Sequence, residues 1–421
     1  MIDMQPLTQT AEAVRTYIDA NLFDSVGLMM SGIDSHTDQP FDPSFLTPRK
    51  VPRRAAHDPW SYWTYEDSVM SMGLYLDALV LQYEVTGEEA CLQRAQRIWT
   101  MIERVFAASQ VYGPGSFLRP YGGFLKMGTF MEPLGTDQAG PAFFGLYRYL
   151  QHVDGDVANN VRRVMLETLK WYERQGFRYF YYKAFVHGGM RSADHSNSYY
   201  LPAIAWAATV EPDDPRWQRY LDIRLGLYER GEAKLQPAGG HPSFPWGSDL
   251  DILRDLLGQR FDTVFTPERL NEAREAVEEI LANYERPAMA KRLCPESAEP
   301  GFRPHVREPD PETDPEWRTL MGFDYMYTRH QGRARPRHEV HLLLALASVG
   351  CEPQATAARA AELLALRSRV PTDFTAFLAE DYDELPETVH HYARSVGVLM
   401  VGWYRDYWLL RRLTDGKTQK R

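Results

Sequence analysis

Two aspartates lead helical sequence out of loops rich in glycine, proline or serine. Asp137 lies in Gly135-Thr136-Asp137-Gln138-Ala139-Gly140-Pro141, and Asp194 in Ala193-Asp194-His195-Ser196-Asn197-Ser198-Tyr199. Two carboxyl groups in different surroundings can act as acid and base, which is the requirement for cleaving a glycosidic bond. The commoner use of Asp at a helix entrance is to cap the first N–H groups. Around the pair stand His187 and His195, able to hydrogen-bond a substrate carboxylate, and Arg119 and Arg191, whose guanidinium groups offer two parallel donors to one. Surface salt bridges are the plainer role for both arginines, and a structural imidazole is the plainer role for both histidines. His241, after two glycines, is a weaker candidate of the same kind as the two histidines, and Tyr121, Asn197 and Trp246 could meet hydroxyl groups or sugar faces. There is no His-Glu-x-x-His, paired-cysteine or calcium-loop spacing, and no phosphate-binding glycine loop or dinucleotide fingerprint, so neither a metal nor a cofactor is expected.

The elements that must position these residues are helices. Ala11, Val14, Ile18 and Leu22 recur at helical spacing, as do Val69, Met72, Leu76, Leu79, Val80 and Tyr83 before Gly87. Twelve such segments, the last at about 388–411, pair as consecutive hairpins. Others are expected at about 140–151, 196–209, 249–258 and 266–284. Asp67 reads as a cap at the first turn of the second helix, and Asp214-Pro215 as a cap followed by proline at the first helical position. A short β-hairpin is expected over 179–187. No repeat of fixed period supports a solenoid. The expected fold is all-α: a single (α/α)6 barrel, or six-hairpin toroid, over 1–421, with loop excursions at about 24–63 and 285–337. The second excursion could cover the barrel mouth or simply be solvated.

The Asp137 segment resembles the Gly-His-Asp-x-Gly-Phe helix entrance of the unsaturated glucuronyl and unsaturated rhamnogalacturonyl hydrolases. The stretch from Asp194 through Asn197, Leu201-Pro202 and Trp206-Ala207 resembles a second motif of that family. Thr136 stands where the family has His, and Trp246-Gly247-Ser248-Asp249 is a reduced counterpart of its Trp/Arg-Gly segment. The resemblance covers these motifs and the helical layout. It implies that Asp194 is the principal general acid/base and Asp137 its partner. It also implies a reaction in which the acid protonates the double bond of a 4,5-unsaturated uronic acid and water adds at C5.

The composition bounds the class of function. Hydrophobic residues make up 44% of the chain, enough for a large core, and the 24 Tyr and 10 Trp include rings that can stack on sugars, although most are expected in the core. A formal charge of −10 lacks the basic footprint of nucleic-acid binding and means that an anionic substrate needs a local basic pocket. Three scattered cysteines argue for reduced thiols rather than a disulfide framework. The segment Met1-Ile2-Asp3-Met4-Gln5-Pro6 has no signal-peptide character, and no apolar run reaches the roughly 18 residues of a membrane span, so a cytoplasmic protein without a membrane partner is expected. Competing readings are a polysaccharide lyase using Tyr121, His187, His195, Asn197 and Tyr199, and a sugar epimerase or glycan-binding toroid.

Overall fold

The apolar run from Ser68 sets the architecture, because a helix that is apolar around its whole circumference must be surrounded by others. In the computed structural model, which describes residues 4–34, 37–40, 64–124, 133–181, 185–191, 197–235, 250–284, 337–366, 368 and 395–415, α2 (Ser68–Thr86) is buried from Ser68 through Gln82. It ends at Gly87, whose φ of 74° is the left-handed conformation expected of a C-terminal glycine, with its N–H bonded to Tyr83 O. By contrast α3 (Glu89–Ser109) and α5 (Gly155–Arg174) each bury one apolar stripe.

The described residues form thirteen helices. Besides these three they are α1 (Gln5–Asn21), α4 (Thr136–Leu150), α6 (Asn197–Val210), α7 (Pro215–Glu229), α8 (Leu250–Leu257), α9 (Gln259–Val264), α10 (Pro267–Tyr284), α11 (Arg337–Ser348), α12 (Pro353–Leu366) and α13 (Val398–Thr414). Contacts run from α2 to α4, to α6, to α8, to α11, to α13, and from α13 back to α2. Outside this circuit, α3 packs on α2, α5 on α4, α7 on α6, α10 on α11, α12 on α11 and α13, and α1 on α13. The fold is all-α apart from four short strands among the described residues. No helix among them is long and apolar enough to cross a membrane.

The expected hairpin is present: β2 (Arg178–Tyr181) pairs antiparallel with β3 (Phe185–Gly188). A second pairing, β1 (Gly32–Asp34) with β4 (Ser395–Gly397), was not expected; it joins the segment after α1 to the one leading into α13. Two helix boundaries also differ from the sequence reading. The fourth helix begins at Thr136 rather than near 140, because Gly135 O accepts the N–H groups of Gln138 and Ala139 at 3.0 and 2.9 Å. The last begins at Val398, and residues 388–394 lie outside the described set. Most of the two long excursions lies outside it as well. Asp214 caps α7 as expected, its carboxylate accepting from Arg216 N. Cys91 and Cys351 are buried free thiols, and burial, reinforced by Glu88, pushes the Cys91 thiol up to about 11.

Candidate active site at two helix entrances

Two glycines bring α2 and α4 together. A Cβ on Gly73 would stand 2.5 Å from Ala142 N and Cα, and one on Gly145 would overlap Gly73 O, so only bare backbones allow this approach. The helix entrances consequently meet. Gln138, in the first turn of α4, donates from Nε2 to Glu66 O at 3.0 Å and to Asp67 Oδ1. Asp67 therefore occupies the capping position of α2 but makes no capping bond; its carboxylate is turned to Gln138 instead.

Arg119 enters from the loop between α3 and α4. It is 1% exposed, and its Nη1 donates to Glu66 Oε1 at 2.8 Å and to the Tyr121 hydroxyl at 3.4 Å. Leu134 N donates to Phe117 O and the Tyr172 hydroxyl to Leu134 O, at 2.8 and 2.6 Å, which ties the two ends of this loop together and onto α5. Arg119 and Tyr121 thus form the wall behind the carboxylates.

Asp137 differs from its neighbours. It is half-buried at the positive end of α4, and its carboxylate makes no capping bond. Nor does it have any other hydrogen bond or ion pair with the described residues. Within one entrance, then, Glu66 is held by a guanidinium, Asp67 by an amide, and Asp137 is left to whatever enters. Among the described residues this entrance brings together three carboxylates and Arg119, so its described part is acidic.

Of the other predicted residues, Arg191 is exposed in the turn after β3, where its charge helps Arg230 to hold the Glu232 carboxyl low, a surface role. His187 pairs in register with Tyr179 on the β-hairpin, and Asn197 opens α6. Asp194, His195, His241 and Trp246 lie outside the described residues. Tyr199 is buried against Tyr172 and Phe143, and burial pushes its phenol well above its ordinary range. A cavity of about 20 Å³ beside it, lined by Phe117, Phe143 and Thr168 among others, has room for a water but not for a sugar ring. Sequence reasoning missed Glu66 and Gln138. The available signal was that both stand beside an Asp at a helix entrance.

A second group of charges links α2, α4, α8 and α13. Asp77 on α2 meets Arg148 of α4 and Arg405 of α13, each at 2.7 Å, and Arg148 reaches Asp251 of α8 at 3.0 Å. Arg412 bridges Asp251 and Glu84, and His152 meets Glu84 at 3.1 Å. Burial alone would raise the Asp251 carboxyl, but Arg148 and Arg412 outweigh it and hold the group far below its usual range. These groups neutralise one another and tie helices together.

The chain matches no family model, no curated protein and no solved structure.

Proposed function

We propose that the chain is a glycoside hydrolase of the (α/α)6 type, acting on uronic-acid-containing oligosaccharides and removing a terminal glucuronyl residue, 4,5-unsaturated or saturated. The observation that carries this reading is the Asp137 carboxylate, half-buried at a helix entrance and unengaged while its two acidic neighbours are held. Separate environments for nearby carboxyl groups are how such sites divide acid and base roles. The circuit of six helices, five of them backed by another helix and α8 by the short α9, supports the toroid, since a cleft at one end of it would be lined by helix entrances such as these.

On this reading Asp194 is the principal acid/base and Asp137 its partner. With an unsaturated uronide, the acid delivers a proton to C4 of the double bond while water adds at C5. The resulting hemiketal opens and releases the remaining sugar. Because Glu66, Asp67 and Asp137 make the described entrance acidic, His187, His195 and His241 are the candidates for the substrate carboxylate. The lyase reading is weakened by two of its candidates, since Tyr121 is fully buried behind Arg119 and burial keeps the Tyr199 phenol protonated.

The test follows ultraviolet absorbance of the conjugated enol ether. Loss of absorbance on unsaturated uronyl disaccharides is the expected result, with Asp137→Asn and Asp194→Asn each lowering kcat by about 10²–10⁴-fold. A gain on intact uronate polymers would establish a lyase instead. Full activity in Asp194→Asn would overturn the assignment of the acid.

A further inference from the structure

Gly135 occupies the N-cap position of α4 with φ −71° and ψ 161°, extended backbone open to any residue type, so chain geometry does not call for glycine here. Capping does not call for it either, because Ser, Asn and Asp offer a side-chain acceptor that glycine lacks. What the missing side chain supplies is room. A Cβ on Gly135 would overlap Asp137 Oδ1 and stand 3.2 Å from Asp137 Cγ and 3.3 Å from Arg119 Nη2.

We propose that Gly135 is a positioning residue: its bare Cα is the space into which the Asp137 carboxylate folds back beside the Arg119 guanidinium. The proposal rests on the hydrolase reading for its catalytic meaning but not for its geometry. Arg119 is fixed from its other side by Glu66 and Tyr121, so it has nowhere to retreat. Asp137 has no other hydrogen bond or ion pair with the described residues to hold its side chain in place. A side chain at position 135 therefore turns the Asp137 carboxylate out toward solvent and leaves the backbone where it is. Thr136, adjacent and fully buried, fixes the path of the chain between them.

Gly135→Ser separates this role from a structural one, because serine is at least as good a cap as glycine. The expected result is a Tm no lower than wild type, a kcat reduced about 10²-fold by misplacement of the carboxylate, and a KM little changed. In an Asp137→Asn background the same substitution should cause no further loss of kcat. A crystal structure of Gly135→Ser supplies an arm independent of turnover, with the Asp137 carboxylate expected away from Arg119. Finding it unmoved, or finding full kcat in the variant, overturns the proposal. If the wild type turns over no uronide, the hydrolase reading falls, and the crystallographic arm still decides the positioning role.

Discussion

Arg119 is committed on one side to Glu66 at 2.8 Å and on the other to the space beside Gly135, and its burial makes both commitments expensive to break. Removing one member of a buried ion pair leaves the other desolvated, at a cost of about 3–5 kcal/mol. Arg119→Met is therefore expected to lower Tm clearly, and Arg119→Met with Glu66→Gln to recover part of the loss, measured by thermal denaturation of the three proteins. Arg119 stood out in the sequence as a possible carboxylate clamp with a surface salt bridge as its plainer role, but its burial was not legible there. Glu66 was unreadable because its partner lies 53 residues away, and Asp67 looked like a cap because its real partner, Gln138, lies 71 residues away. Asp137 was legible from its type and its place at a helix start, whereas its lack of a partner among the described residues emerges only from packing.

At the level of elements, the site depends on how closely α2 and α4 approach. Gly73→Ala would push a methyl group into the backbone of Ala142, and backbone, unlike the end of a side chain, cannot swing aside. Overpacking of this kind costs about 1–3 kcal/mol. A lower denaturant midpoint with an unchanged slope is expected, together with loss of activity as the entrances of the two helices spread. Apolar periodicity revealed the helices that bury a single stripe, such as α3 and α5, while α2 was legible as a long apolar run ended by Gly87. The start of α4 was misjudged because Pro141 suggests a first turn, while the bonds to Gly135 O begin the helix earlier. The pairing of β1 with β4 escaped notice for another reason. Strands of three residues carry no alternation to detect, and their partners lie at opposite ends of the sequence.

Across the whole molecule, the interior charges make stability depend on acidity. Burial would raise the Glu84 carboxyl, but the His152 hydrogen bond and the Arg148 and Arg412 charges bring it from its ordinary 4.5 down to about 2. A carboxyl depressed in the folded state contributes stability that is fully present above about pH 4.5 and is lost as the pH falls toward 2. That contribution is about 3 kcal/mol at most. Glu84→Gln is expected to be less stable than wild type at neutral pH, with the two converging as the pH approaches 2, in denaturation series across that window. The all-α character was legible from the sequence, though thirteen helices stand among the described residues where twelve were expected, the short α9 being the unexpected one; the ion network was not legible, because its members are scattered from α2 to α13.

The same scatter bears on how the chain is made. Arg405 follows Asp77 by 328 residues, and Arg412 follows Glu84 by the same distance. At roughly 5–20 residues per second, α2 leaves the ribosome tens of seconds before its arginines are synthesised. Until then Asp77 can meet Arg148 of α4 and Glu84 can meet His152, but the guanidinium groups of α13 that complete the network do not yet exist. A ribosome that stalls before α13 releases a chain in which α2 lacks one of its main packing partners and the ion network two of its arginines.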